Sequence, residues 1–153
     1  MKLMINGAVT IGTLDGANVE IREQVGDENM FLFGMNADEV EALWRRGYSP
    51  REFLTPELER VLQMLTSGAL GQRFDDIAAS LLTNRFGTAD GYMTIADFAS
   101  YRDTQRRAAQ VYRDQTAFGK MSLVNIAKAG IFSADRAVRE YADRIWGLSG
   151  LEV

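Results

Sequence analysis

Three carboxylates near the start of the sequence are of a type that could do chemistry. Asp15, Glu20 and Glu23 stand close together, and positions 20 and 23 fall on one face of a helix. A pair of carboxylates can act as acid and base, or can bind a metal ion. A solvated helix face explains the same spacing, and the chain has no histidine or cysteine to extend such a site.

Other residues invite a test for phosphate binding. Gly7, Gly12 and Gly16 do not match Gly-x-Gly-x-x-Gly, and no Gly-Lys-Ser/Thr is present. These glycines therefore indicate turns. Lys2, beside the first methionine, is by itself typical of a solvated terminus.

Basic and aromatic residues later in the chain suggest no further site. The doublets Arg45-Arg46 and Arg106-Arg107 indicate surface charge on helices. Five aromatic residues are spread along helices and are expected in the core rather than in a stacking platform: Trp44, Phe98, Tyr101, Tyr112 and Trp146.

The composition narrows the class of protein. The 153 residues are enough for one domain, and 46% of them are hydrophobic. A net charge of -4 argues against nucleic acid or an anionic membrane surface as the main partner. No apolar run approaches a membrane span of about 18 residues, and no signal-peptide pattern is present. We expect a cytoplasmic protein.

The first 35 residues predict a partial βαβ unit. Residues 8–13 and 29–35 read as short strands, and residues 16–24 read as a helix with Asp15 as its N-cap. A strand, helix and strand in this order predict two parallel strands.

Residues 36–153 predict mainly helices, each with a recognisable start. Asn36 with Glu39 forms a capping-box pattern, Thr55 precedes a proline, and Ser133 can cap the last helix. Residues 92–95 predict a short strand or an extended linker. The apolar faces of the helices are expected to be buried, among them Val40, Leu43, Leu58, Val61, Leu62, Ile77, Ala78, Tyr101, Tyr112, Val138, Tyr141, Ala142 and Ile145.

Two or three strands buried on both faces do not make a complete sheet, because their edges would be unpaired. The pattern therefore predicts a fragmentary α/β domain with a helical tail, from which a part is missing.

Longer strings identify a family. "MKLMINGAVTIGTLDGANVEI" closely resembles the segment of glycogen, starch and maltodextrin phosphorylases that carries their cofactor lysine. "NMFLFGM" and "RRGYSPREF" continue the likeness, and "KMSLVNIAKAGIFSADRAVREYADRIWG" resembles the C-terminal signature of the same family. The resemblance extends through the whole chain.

The resemblance implies a fold and an activity. These phosphorylases are similar to glycosyltransferases with two Rossmann-like domains, and they transfer a terminal α-1,4-linked glucose to inorganic phosphate, giving glucose 1-phosphate. Their cofactor is pyridoxal phosphate, so Lys2 corresponds to the lysine that holds it as a Schiff base. The resemblance also implies a homodimer that acts on an α-glucan.

The resemblance further implies that the chain is the last fifth or so of such an enzyme. Met1 then matches an internal methionine, and the other substrate contacts of the family lie upstream. We expect residues 1–35 to be part of the cofactor-binding domain and residues 36–153 its helical C-terminal part. The fragment alone is expected to be inactive and to hold no pyridoxal phosphate. Phe118 stands where the family usually has tryptophan, a change in packing only.

Two other functions remain open at this point. The chain is also compatible with a non-catalytic helical packing or assembly module. A sugar-nucleotide glycosyltransferase of the same architecture would need no anchor lysine, so Lys2 argues against it.

Overall fold

The computed structural model describes residues 1–83 and 88–148. Over these residues the chain is mostly helical and contains two strands, β1 (Ile11–Gly12) and β2 (Phe31–Leu32). The α-helices in chain order are α1 (Lys2–Ile5), α2 (Ala17–Val25), α3 (Ala37–Arg45), α4 (Pro56–Ser67), α5 (Asp75–Leu82), α6 (Phe98–Arg113), α7 (Gln115–Lys128) and α8 (Ala134–Tyr141).

The two strands pair in parallel, with α2 as the connection between them. The Phe31 N–H donates to the Thr10 oxygen at 2.9 Å, and the Phe33 N–H donates to the Gly12 oxygen at 3.2 Å. This evenly spaced pattern is that of a parallel ladder. The prediction of a partial α/β unit is confirmed, although each strand is only two residues long.

The prediction of a possible strand at residues 92–95 is wrong, because this segment is a turn. Asp90 and Met93 have φ values of 47° and 57°, in the left-handed region. An extended strand needs a negative φ at each residue. The chain therefore bends here, immediately before α6 begins at Phe98.

The N-cap predicted for α2 is also wrong. Gly16 occupies the N-cap position with a φ of 46°, and no side chain caps this helix. The Asp15 carboxylate instead accepts a hydrogen bond from the Thr13 hydroxyl at 3.1 Å. The positive φ explains why glycine stands at position 16.

The other predicted caps are confirmed. The Asn36 side chain accepts from the Glu39 N–H at 3.0 Å, and Glu39 accepts from the Asn36 N–H at 2.8 Å, which completes the capping box of α3. Thr55 accepts from the Leu58 N–H at the start of α4. Gly68 ends α4 in the left-handed conformation.

Ser133 caps α8, and this cap provides a test of the local structure. Its hydroxyl accepts from the Arg136 N–H at 3.2 Å. We expect Ser133→Ala to lower the free energy of unfolding by about 0.5–2 kcal/mol, because one helix N–H loses its partner. Urea denaturation measures the change, and Ser133→Asp is the matched control because aspartate also caps. A loss of the same size in both variants would contradict the assignment of the cap.

The chain divides into two compact units. The first contains Met1–Ile11, Gly16–Leu32 and the chain from Arg107 onward, and the second contains Gly12–Asp15 and Phe33–Arg106. These units do not test the expected domain boundary after residue 35, which stays a prediction.

Each unit has its own buried residues. The first unit contains an apolar cluster that consists of Met4, Ile21, Val25, Met30 and Ala129. In the second unit the most buried apolar side chains are Leu43, Leu58, Leu62, Ala78, Ala89, Met93 and Ile95. Of the predicted core residues, Leu43, Leu58, Leu62 and Ala78 are therefore confirmed.

Several other side chains predicted to be buried are exposed. Val138 is 59% exposed and Ile145 is 65% exposed, so the apolar face of α8 and the π-helical turn after it (Ala142–Trp146) faces solvent. We therefore expect little loss of stability from Ile145→Ala in this chain. Further residues that were predicted to be buried are exposed as well: Val61, Ile77, Tyr101, Tyr112, Tyr141 and Trp146.

Candidate functional site

Lys2 lies in α1, a single turn of helix that the sequence pattern did not predict. Its side chain is exposed, and no salt bridge holds it within residues 1–83 and 88–148. Its backbone oxygen accepts from the Asn6 side chain at 3.0 Å. The amine is therefore accessible, while the backbone that carries it is tied down.

The turn that carries Lys2 is fixed to the core of the first unit. Met4, two residues after Lys2, is fully buried in the apolar cluster. Gly7 follows the turn with a φ of 80°, and its oxygen accepts from the Ser122 hydroxyl of α7 at 2.8 Å. The buried Met4 side chain before Ile5 and the Gly7–Ser122 hydrogen bond after it thus fix the position of α1.

The same face of α7 carries a buried polar residue. Asn125 is 0% exposed, and its Nδ2 donates to the backbone oxygens of Asn29 at 2.8 Å and Met121 at 2.9 Å. Its Oδ1 has no hydrogen-bond partner among the residues described. The side chain fastens the segment before β2 to α7.

The carboxylates singled out from the sequence do not form a metal site. Glu20 and Glu23 are exposed on α2 and line a shallow depression with Arg136. Over residues 1–83 and 88–148, no cluster of three or more acidic side chains is placed to hold a metal ion. None of the helices in these ranges has the length and apolar character needed to cross a bilayer.

The arginine doublets take part in local pairs. Arg45 pairs with Glu41 at 2.7 Å and Arg46 with Glu52 at 3.2 Å, all exposed. Arg107 differs, because its guanidinium donates to the Leu32 oxygen and lies 5.6 Å from the centre of the Phe31 ring. It therefore supports β2 as well as contributing surface charge.

A cavity of about 490 Å³ lies in the second unit, and residues that follow β1 and β2 in the chain contribute to its lining. Thr13 and Asp15 follow β1, and Phe33 follows β2. The cavity is lined by Thr13, Asp15, Phe33, Tyr92, Met93, Thr94, Asp97, Phe98 and Tyr101.

Asp97 is the buried carboxylate of this cavity. It is 8% exposed, and its Oδ1 accepts from the Met35 N–H at 3.0 Å. Burial raises the pKa of the Asp97 carboxyl, the Met35 hydrogen bond lowers it, and the charges of Asp90 and Glu39 raise it further. The net pKa lies above the ordinary aspartate value.

A second buried aspartate organises the turn before α6. The Asp90 carboxylate accepts from the N–H groups of Thr94 and Ile95, both at 2.8 Å, and from the Tyr48 hydroxyl at 2.6 Å. Burial, and then the hydrogen bond to Asp90, raise the pKa of Tyr48 above its ordinary value. Tyr48 therefore acts as a neutral donor at all physiological pH values.

Asp90, Asp97 and Asn125 were not predicted as site residues from the sequence. The Asp90-Gly91 pair is a turn signal, and Asp97 precedes a helical pattern. Neither signal reveals burial, because the partners Tyr48 and Met35 are more than 40 residues away in sequence.

Comparisons with known proteins identify the class. The family model described as carbohydrate phosphorylase matches residues 1–148. The chain is 43% identical to a glycogen phosphorylase of Synechocystis over 97% of its length, and 44% identical to the α-1,4 glucan phosphorylase L-1 isozyme of Solanum tuberosum over 100%. It is 41% identical to the liver form of human glycogen phosphorylase over 97% of its length.

The chain therefore belongs to the carbohydrate phosphorylase family. It spans 16–18% of the length of these relatives, so it corresponds to a fragment of such a protein.

Proposed function

We propose that this chain is the C-terminal part of an α-glucan phosphorylase. The complete enzyme would transfer a terminal α-1,4-linked glucose to inorganic phosphate and release glucose 1-phosphate. The observation that carries the proposal is the similarity over 97–100% of the chain to relatives that are named as glycogen or α-glucan phosphorylases. We further propose a Rossmann-like fold for the complete cofactor domain, a homodimer and a cytoplasmic location.

We propose Lys2 as the residue that holds pyridoxal phosphate in the complete enzyme. A primary amine is the donor that a carbonyl cofactor requires, and the amine of Lys2 is exposed and has no salt bridge to a described residue. The buried Met4 and the Gly7–Ser122 hydrogen bond fix the turn that carries it. An exposed amine on a fixed turn fits the attachment of pyridoxal phosphate. When bound, pyridoxal phosphate would supply a phosphate that exchanges a proton with the substrate phosphate.

Lys2 would fix the cofactor in place, while the other contacts of the cofactor and substrate would come from the rest of the enzyme. The cavity of the second unit is a poor phosphate site, because neither lysine nor arginine lines it. We therefore expect the chain alone to release no glucose 1-phosphate from glycogen or maltodextrin.

A chimera tests the role of Lys2. Residues 1–148 would replace the matching segment of the Synechocystis relative. We expect this chimera to contain pyridoxal phosphate and to produce glucose 1-phosphate from maltodextrin. Lys2→Ala should abolish the cofactor absorbance and lower the activity by at least about a thousand-fold, because covalent attachment is lost.

Lys120→Ala is the matched control, because Lys120 is another exposed lysine of the same unit. Borohydride reduction followed by peptide mass spectrometry would locate the cofactor directly. Cofactor trapped on a lysine other than Lys2 would disprove the anchor assignment. A chimera that folds but never releases glucose 1-phosphate would contradict the proposed activity.

A further inference from the structure

We propose that the cavity of the second unit, lined by Asp97 and Tyr101 among others, binds a small organic cation of the alkylammonium class. The proposal rests on the charge, the aromatic lining and the buried carboxylate of this cavity. It does not depend on the proposed phosphorylase activity or on Lys2.

The charge of the lining selects for a cation. Asp15 and Asp97 are the carboxylates among the lining residues, and neither lysine nor arginine is among them. The chain has no histidine that could balance them. An anionic ligand would meet only repulsion here, whereas a monovalent cation would meet complementary charge.

The aromatic lining favours an organic cation over a metal ion. Phe33, Phe98 and Tyr101 line the cavity, and the rings of Phe33 and Tyr101 meet edge to face with their centres 5.1 Å apart. Tyr92 also lines it and is 93% exposed. Aromatic faces attract ammonium groups, and cages of several rings with a carboxylate bind quaternary ammonium ions.

Asp97 supplies the specific contact. Its Oδ1 is occupied by the Met35 N–H, while its Oδ2 accepts no hydrogen bond from the described residues. This oxygen is open to a charge pair with a bound ammonium group. Because Asp97 is only 8% exposed, water screens this pair weakly, and the charge of Asp97 should therefore dominate the affinity.

The size of the cavity fits this class. About 490 Å³ falls within the range of small-molecule sites, about 300–1,000 Å³. A choline-sized cation can therefore enter together with water.

A titration with choline chloride tests the proposal on the chain as it stands. NMR resonances of the Phe and Tyr rings would be followed as choline is added, and separately as 3,3-dimethylbutan-1-ol is added. The alcohol has the same shape as choline without its charge. We expect saturable shifts with choline and binding at least about ten-fold weaker with the alcohol.

Two variants locate the site. Asp97→Asn keeps the shape and an acceptor for Met35 and removes the charge, so choline should bind at least about ten-fold more weakly. Asp38→Asn is the matched control, because Asp38 is exposed on α3 and does not line the cavity. The control should bind choline as the unaltered chain does.

The comparison of choline with the alcohol needs no variant, so it stands even if Asp97→Asn fails to fold. No saturable shift with choline, or equal binding of the two compounds, would overturn the proposal. Equal losses of choline affinity in Asp97→Asn and Asp38→Asn would also overturn the proposal, because they would show only an effect of net charge.

Discussion

Asn125→Asp is expected to lower the free energy of unfolding by about 3–5 kcal/mol at neutral pH. The Asn125 side chain is 0% exposed and donates to the oxygens of Asn29 and Met121. An aspartate there would lose both donors and would place a buried negative charge against two carbonyl oxygens. The variant removes no volume, so the loss reports the hydrogen bonds and the charge.

The loss should depend on pH in a known direction. Burial would raise the pKa of the new carboxyl above its unfolded value of about 3.9. Below the unfolded pKa the carboxyl is protonated in both states, and its proton can donate to one of the two carbonyls. Stability is then lost as the pH rises through the folded pKa, so the variant should be closest to the unaltered chain in acid.

Urea denaturation at several pH values measures this effect. Asn36→Asp is the matched control, since aspartate caps a helix as well as asparagine does, and its change should stay within about 0.5 kcal/mol. Asn125→Asp with unchanged stability at neutral pH would show that the side chain does not fasten the segment before β2 to α7.

Local signals in the sequence predicted local structure well. The capping box at Asn36, the Thr55 cap and the Ser133 cap each depend on residues within three positions of one another. The parallel pairing of β1 and β2 also followed from the order of elements. Asp15 failed as a cap because Gly16 has a positive φ, which shifts the start of α2 by one residue.

Burial was harder to predict than helix position. The spacing of Val138, Tyr141 and Ile145 correctly places them on one face of α8 and the turn after it, yet that face is exposed. An amphipathic pattern shows that a face is apolar, but not what covers it. Asn125 and Asp97 are the opposite case, because they are polar and yet buried. Their burial could not be predicted, since their hydrogen-bond partners are distant in sequence.

The candidate site also has one part that was predicted from the sequence, Lys2, and one part that was not, the cavity. Lys2 was predicted as the cofactor lysine only through the resemblance to phosphorylases, since a lysine beside a methionine carries no signal of its own. The family match over residues 1–148 supports that resemblance. The cavity was missed because its lining comes from three separate segments, and their meeting depends on the fold rather than on any motif.

Gly34→Ala should destabilise the chain, because Gly34 lies against two residues that line the cavity, Asp97 and Thr13. Gly34 has a φ of 79°, and a Cβ there would lie 2.6 Å from Asp97 Oδ2 and 3.0 Å from the Thr13 methyl carbon. The backbone strain alone costs about 1–2 kcal/mol. Displacing the Asp97 carboxylate would also weaken its hydrogen bond with Met35, so we expect a further loss of about 1–3 kcal/mol.

Gly47→Ala separates these two contributions. Gly47 has a φ of 87°, and nothing lies within 4 Å of a Cβ at that position, so this variant should show the backbone strain only. Urea denaturation of both variants gives the difference, which measures how firmly Asp97 is held against Gly34. Because Asp97 is proposed to bind the cation, Gly34→Ala should also weaken choline binding, and Gly47→Ala should not. Equal losses of stability in the two variants would mean that the Asp97 carboxylate moves aside without cost, and that the cavity wall is not fixed.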